Sequence, residues 1–206
     1  MSQIHHIVFD VGLVLLHWNA DLIYRDLIPD PHERADFLAS VCTAEWNIEQ
    51  DRGRSWAEGE QMLIDQYPDK ADLIRAFRRD WIKSVPRAYE DIVEIYQGLI
   101  GSGRDVTLLT NFNQHTFAEA KGHYGFLNLA RAETVSGEVQ LIKPDAEIYE
   151  HHTQAHGLSA KNTLFIDDSP HNIAAARAHG WQGFQFAGAE GAGRLKAGLA
   201  EVGIEL

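Results

Sequence analysis

Asp10, Thr110, Asn111, Lys143 and the adjacent pair Asp167 and Asp168 are the residues of this 206-residue chain whose types and settings can do chemistry. Asp10, Thr110 and Asp167 each follow a short, mainly apolar run: His6-Ile7-Val8-Phe9, Val106-Thr107-Leu108-Leu109 and Thr163-Leu164-Phe165-Ile166. Such runs read as buried parallel strands that deliver polar groups to the carboxyl edge of a sheet. In open α/β sheets that edge is where ligands bind. Two acidic clusters, one cation and one hydroxyl converging there are suited to holding a divalent metal and a phosphate beside a carboxylate nucleophile.

Each residue type has a reason to be in that set. A carboxylate at a strand end, Asp10, can attack phosphorus and form an aspartyl-phosphate, which splits one hydrolysis into two displacements. Its bland alternative is a turn or helix-cap Asp. Thr110 and Asn111 offer a hydroxyl and an amide to non-bridging phosphate oxygens. Asn113, rather than either of them, suits the N-cap of the helix that follows. Lys143, held by Pro144 on a short turn, can neutralise phosphate charge and shield Asp10 from it, with a solvated surface lysine as the alternative. Asp167 and Asp168 are hard oxygen donors of the kind Mg²⁺ takes, and two uncompensated carboxylates at a buried strand end would repel. Ser169 and Asn172 either brace this loop or, for Ser169, cap the next helix.

The elements that must position these residues follow from periodicity. Residues 17–88 are rich in Trp (Trp18, Trp46, Trp56, Trp81) and in apolar residues at helical spacing, punctuated by Pro29, Pro31, Pro68 and Pro86. This predicts a bundle of about four helices. After Pro86 helices and strands alternate: a helix over 92–99, the strand to Leu109, a helix over 116–123, a short strand at 132–134, a helix over 148–156, the strand to Ile166, a helix over 172–179 and a last strand at 183–186. The fold class is therefore α/β, a doubly wound parallel sheet with an inserted α-helical cap. The expected domains are a Rossmann-like core of residues 1–16 plus 89–206 and a helical cap of residues 17–88. A cap inserted after the first strand hangs over the strand ends, where it can close on a substrate and exclude water.

Composition narrows the class of function. The length is enough to bury a core without disulfide or metal support. The single cysteine, Cys42, fits a reducing compartment and reads as a small buried hydrophobe. A net charge of −12 argues against general nucleic-acid binding. The start of the chain has no basic leader, and no run approaches the roughly 20 apolar residues of a membrane span. The eleven histidines are scattered without metal-ligand spacing, so no zinc site is expected. The expectation is a cytoplasmic enzyme of small molecules, with no nucleic-acid or membrane partner.

The ordered set Asp10-Val11-Gly12-Leu13-Val14-Leu15, Leu108-Leu109-Thr110-Asn111, Lys143-Pro144 and Phe165-Ile166-Asp167-Asp168-Ser169-Pro170-His171-Asn172 resembles the haloacid dehalogenase superfamily, in its branch of small phosphatases with a helical cap. The resemblance runs from residue 4 to about residue 186. It implies a Mg²⁺-dependent phosphatase acting on a small organic phosphate, sugar phosphates foremost, through an aspartyl-phosphate. It implies Asp10, the carbonyl of Gly12, Asp168 directly and Asp167 through water as metal ligands, Asp10 and Lys143 as catalytic residues, and Thr110, Asn111 and Lys143 as substrate-binding residues.

Gly12 departs from the pattern. Phosphatases of this superfamily usually carry a second Asp there as general acid and base, a function that contributes about 10²–10⁴-fold. A substrate with a good leaving group would make it unnecessary. Otherwise a neighbour, His17 or Asn19, or a cap residue, Glu49 or Asp51, would supply the proton. The Asp-x-Gly-x-Val motif is similar to that of small bacterial sugar phosphatases, glucose-1-phosphate phosphatase included. Two other readings stand beside this one: a 2-haloacid dehalogenase, in which Asp10 attacks carbon without a metal, and a catalytically weak ligand-binding relative. Trp18, Trp46 and Arg52 could line a substrate pocket of the cap, where Trp suits stacking on a sugar ring, but an amphipathic bundle also needs aromatics for its core, and core is the favoured reading for any single Trp.

Overall fold

The computed structural model describes residues 3–205. Its centre is a five-stranded sheet of β1 (His6–Phe9), β2 (Asp105–Thr110), β3 (Ala132–Val135), β4 (Thr163–Asp167) and β5 (Gln182–Gln185), in the order β3-β2-β1-β4-β5 with every pairing parallel. Eleven α-helices are described: α1 (Asp21–Tyr24), α2 (Pro31–Ser40), α3 (Ala44–Asp51), α4 (Trp56–Gln66), α5 (Ala71–Arg79), α6 (Glu90–Gly101), α7 (Gln114–His123), α8 (Ser136–Val139), α9 (Ala146–His156), α10 (Pro170–Ala178) and α11 (Ala192–Glu201).

Alternation along the strands feeds two cores, as a sheet covered on both faces requires. Ile7, Phe9, Val106, Leu108, Leu164 and Ile166 face one core, shared with the inserted helices, α6, α7 and α11. Val8, Leu109 and Phe165 face the other, built with Ile148 and Tyr149 of α9 and Ile173 and Ala176 of α10. The register puts Phe9 level with Leu108 on one side and Ile166 on the other. The residues that follow therefore emerge side by side at one edge.

α1 to α5 all lie between β1 and β2. The two ends of this insertion are held together: Leu16 and Ala88 form an antiparallel bridge, His17 N–H donates to Arg87 O (3.0 Å) and Tyr89 N–H donates to Leu15 O (2.9 Å). The helices start where caps are available. Asp30, Thr43 and Ser55 accept from backbone N–H groups of the first turns of α2, α3 and α4, respectively.

The insertion departs from the expected four-helix periodicity in two places. Leu27 and Ile28 lie outside α1, which is a single turn, because Pro29 disfavours a helical conformation in the residue before it. Trp81 and Ile82 leave the α5 pattern for a 3₁₀ turn, Trp81–Ser84. α8 and α11 had no sequence expectation, and the last strand begins one residue earlier than expected. Cys42 is buried as expected, accepts a hydrogen bond from the Tyr24 hydroxyl (3.6 Å), and has its thiol pushed up to about 12 by burial. Among the described residues no helix is long and apolar enough to cross a membrane.

Candidate active site

Asp10 stands immediately beyond β1, in the centre of the sheet. Its N–H donates to Ile166 O (2.9 Å), which continues the ladder one step past the strand. Oδ1 accepts from its neighbour's amide, Val11 N–H (2.7 Å), and lies 2.9 Å from Lys143 Nζ. The next residues turn sharply: Leu13 adopts φ +58°, a left-handed conformation that a branched side chain rarely takes. The turn takes up the carbonyls of Val11 and Leu13, the first for Leu15 and Leu16 N–H and the second for Gly188 N–H. The carbonyl of Gly12 accepts no backbone hydrogen bond from any described residue outside the regular elements.

Lys143 is the hub. It is 2% exposed, and its ammonium donates to Asp167 Oδ2 (2.7 Å) and Leu109 O (3.0 Å) and pairs with Asp10. That geometry replaces the surface-lysine alternative. Burial alone would lower its pKa, but the Asp10 and Asp167 carboxylates outweigh burial and raise it, so the ammonium stays charged. Phe165 lies beneath it, 5.3 Å from ring centroid to nitrogen.

Asp167 is fully buried and its oxygens are taken by the protein. Oδ1 accepts from Ser169 N–H (2.8 Å) and Asn172 Nδ2 (3.0 Å), and Oδ2 from Lys143 and from Asn172 Nδ2 (3.1 Å). Ser169 is also the N-cap of α10, so both expectations for it hold. Asp168 is only partly buried. Burial first, then Asp167, raise its pKa. Burial likewise pushes Asp10 up to about 7, with Lys143 opposing and Asp167 and Asp168 adding. One oxygen each of Asp10, Asp167 and Asp168 falls within 4.8 Å of the others. Three carboxylates beside one ammonium leave negative charge that a hard dication would neutralise, and oxygen is the donor such an ion takes.

Thr110 is buried at the end of β2. Asn111 braces the lysine loop and also lines the cavity over the strand ends. Its Oδ1 accepts from Lys143 N–H and its Nδ2 donates to Lys143 O, both at 2.9 Å. One amide hydrogen and one oxygen lone pair of the side chain are thus engaged on the lysine backbone. Asn113 caps α7 as expected, its Oδ1 accepting from His115 N–H (3.0 Å).

A cavity of about 160 Å³ opens above this edge. Gly12, Leu13, Asn111 and Phe112 line it from the sheet side. Trp18, Asn47, Asp51 and Trp81 line it from the insertion. Trp18 is therefore a pocket residue, the less favoured of its two readings. Trp46 is not: it packs against Trp56 and Phe77 at 6.0 and 5.2 Å between centroids and donates its indole N–H to Gly59 O (3.0 Å). Arg52 faces another cleft and pairs with Asp145 (3.2 Å). Sequence reading missed Trp81, which packs on Phe112 at 5.4 Å, and Ser136, whose hydroxyl accepts from Phe112 N–H (2.8 Å) and donates to Asp51 O (2.5 Å). An aromatic among many and a serine in an unrecognised helix carried no local signal.

A sheet of this order, with a carboxylate after its central strand and a lysine bridging two acids, defines an α/β hydrolase of the haloacid dehalogenase type. Residues 4–180 match the family model of the haloacid dehalogenase-like hydrolases, and the chain belongs to that family. It is 35% identical over 189 residues to the GMP/IMP nucleotidase YrfG of Escherichia coli, covering 83% of this chain and 80% of that protein. It is 26% identical over 182 residues to the sesquiterpene phosphatase astK of Aspergillus oryzae, covering 85% and 86%. Among solved structures it is similar to a predicted hydrolase of the same type from Porphyromonas gingivalis, with a TM-score of 0.79 at 20% identity over 99% of this chain and 100% of that one. A family enzyme from Bacteroides thetaiotaomicron, in complex with magnesium and inorganic phosphate, aligns with a TM-score of 0.69 at 19% identity, covering 88% and 93%.

Proposed function

We propose that this hydrolase is a Mg²⁺-dependent phosphomonoesterase for small organic phosphates, sugar phosphates foremost, acting through an aspartyl-phosphate on Asp10. The observation that carries the reading is the set of three carboxylates, Asp10, Asp167 and Asp168, gathered around the strand ends with Lys143 between two of them. Asp10 and Asp168, with the carbonyl of Gly12, would hold the ion directly. Asp167, its oxygens already accepting from Lys143, Asn172 and Ser169, would reach it through water. The ion supplies Lewis-acid neutralisation of the phosphate charge.

Lys143 favours the ionised form of Asp10 against burial, orients it and lowers its repulsion with an incoming phosphate. Thr110, next to the lysine clamp, would bind a non-bridging oxygen. The helices over residues 17–88 serve as the cap, and the aromatic walls of Trp18 and Trp81 suit a neutral ring on the leaving side. The nucleotidase and phosphatase relatives support a phosphate ester as substrate. The dehalogenase reading is disfavoured by the acidic pair, for which halide displacement has no use. Hydrolysis of p-nitrophenyl phosphate tests the proposal. Turnover that needs Mg²⁺ and disappears in Asp10→Asn is expected. Chloride release from 2-chloropropionate without metal would overturn it.

A further inference from the structure

Gly12 leaves a space rather than a closed backbone contact. A Cβ placed there would meet no atom within 4 Å, and the opening is continuous with the cavity over the site. Of the groups able to offer a proton there, three are engaged elsewhere. His17 Nδ1 lies 3.2 Å from the Tyr89 hydroxyl, Asn19 Oδ1 accepts from Asp21 N–H at 3.0 Å, and Glu49 pairs with Arg52 at 3.6 Å along a different cleft. Asp51, the last residue of α3, lines the same cavity as Gly12.

The setting of Asp51 is built. Its Oδ1 accepts from Asn113 N–H and its Oδ2 from Asn47 Nδ2, both at 3.1 Å. Its own carbonyl accepts from Ser136 Oγ, and Asn113 Nδ2 donates to the preceding Gln50 O (2.9 Å). Thus α7 and α8 fix the end of α3 over the sheet edge. No cation is set against it by α3, α7, α8 or the loop after β1 among the described residues, and its neighbour Arg52 turns to Asp145 and Glu49. Burial pushes the carboxyl up to about 7, the range in which a group can both give and take a proton near neutrality.

We infer that Asp51 is the general acid and base of the reaction, reaching from the insertion into the space that Gly12 leaves open; the inference rests on the phosphatase reading. In the first step an oxygen of Asp10 bonds to phosphorus, the ester P–O bond breaks with its electron pair on the leaving oxygen, and that oxygen takes the proton of Asp51. In the second step the Asp51 carboxylate takes a proton from water as the water oxygen bonds to phosphorus. The bond from phosphorus to Asp10 then breaks, releasing phosphate and restoring the Asp10 carboxylate and the Asp51 acid.

The test compares wild type and Asp51→Asn on p-nitrophenyl phosphate, whose leaving group needs no proton, and on ethyl phosphate, whose leaving group does. An Asn keeps an acceptor for Asn113 N–H, and a flip of the Asn47 amide restores the second contact. With ethyl phosphate kcat/KM should fall about 10²–10⁴-fold, and with p-nitrophenyl phosphate less than about tenfold. On the latter the variant should release a burst of about one p-nitrophenolate per site, because the base for the second step is gone. Wild type gives an independent readout: kcat/KM for ethyl phosphate should decline above about pH 7, and that for p-nitrophenyl phosphate should not. Equal losses on both substrates, or identical wild-type pH limbs, would overturn the role of Asp51 and leave the phosphatase reading standing. A wild type inactive on both substrates would overturn the two together.

Discussion

Asn111 and Lys143 hold one another through a closed pair of hydrogen bonds, the amide oxygen accepting from the lysine N–H and the amide nitrogen donating to the lysine carbonyl, both at 2.9 Å. A side chain at the end of β2 thereby fixes the backbone of a loop 32 residues away, and with it the ammonium that bridges Asp10 and Asp167. The two contacts separate positioning from charge.

Asn111→Ala tests the positioning half. It leaves the backbone N–H and C=O of a buried residue without partners, which costs about 1–3 kcal/mol. The expected outcome is a lower Tm together with a kcat for p-nitrophenyl phosphate reduced about 10–100-fold, because a misplaced lysine weakens the transition state more than the ground state. A change in KM alone, with kcat retained, would mean that Asn111 binds the phosphate and does not place the lysine.

Lys143→Met tests the charge half. The methionine fills similar volume but leaves Asp10, Asp167 and Asp168 with no internal cation. Breaking a buried pair from one side costs about 3–5 kcal/mol. Denaturant unfolding should show this loss in full at pH 8. The loss should shrink toward pH 5, where Asp10, already pushed up to about 7, takes a proton and no longer needs a partner. A loss of equal size at both pH values would assign the cost to packing.

How far the sequence carries this site can be judged residue by residue. Asp10, Thr110 and Asp167 were legible because an apolar run that ends in a polar residue is a local signal, and parallel register then brings Asp10 level with Asp167 and within one residue of Thr110 without further information. Lys143 was legible through its motif, yet its contacts with two carboxylates were not, since they join segments 133 and 24 residues apart in the chain. The same holds for the contacts that seat α3: Asn113 with Asp51 and Ser136 with Asp51 span 62 and 85 residues. The tryptophans show the limit plainly. Trp46 and Trp81 have the same composition signal and both are buried in one core, yet only Trp81 also forms part of the cavity wall, because tertiary packing decides which buried ring borders the site.

Magnesium binding can be read without any turnover. An ion that binds the folded protein alone stabilises it by about 2.7 kcal/mol at a hundred times its Kd, which for a chain of this size is a rise of about 5–10 °C in Tm. Wild type should show that rise on titration with Mg²⁺. Asp168→Asn should lose it while its metal-free Tm stays at or above that of wild type, because the substitution relieves a carboxyl that burial and Asp167 already disfavour as an anion. A variant that keeps the full Mg²⁺-dependent rise would remove Asp168 from the ligand set.

Asp51 gives a prediction of opposite sign to that of an acid held ionised by an arginine, such as Asp21 or Asp105. Its carboxyl is pushed up from 3.8 to about 7, chiefly by burial and against the opposing hydrogen bond from Asn113. Between those values the folded protein keeps a proton that the unfolded chain has released, so stability falls as pH rises through the window. Below 3.8 both states are protonated and the cost is absent; above about 7 both are ionised and the cost is complete. Asn cannot ionise, so Asp51→Asn carries none of this cost, and the charges that Asp10 and Asp168 contribute are common to both proteins and cancel. The variant should therefore melt above wild type at pH 8.5 by at least about 1 kcal/mol, about 2–4 °C, with the gap closing as the pH approaches 4. A difference that is constant across this range would place the Asp51 carboxyl in water and remove it from the cavity. A gap that opens as the pH rises from about 4 to about 7 means that the insertion tolerates a charge it would be more stable without, which is what a proton-transferring group at the mouth of an active site requires.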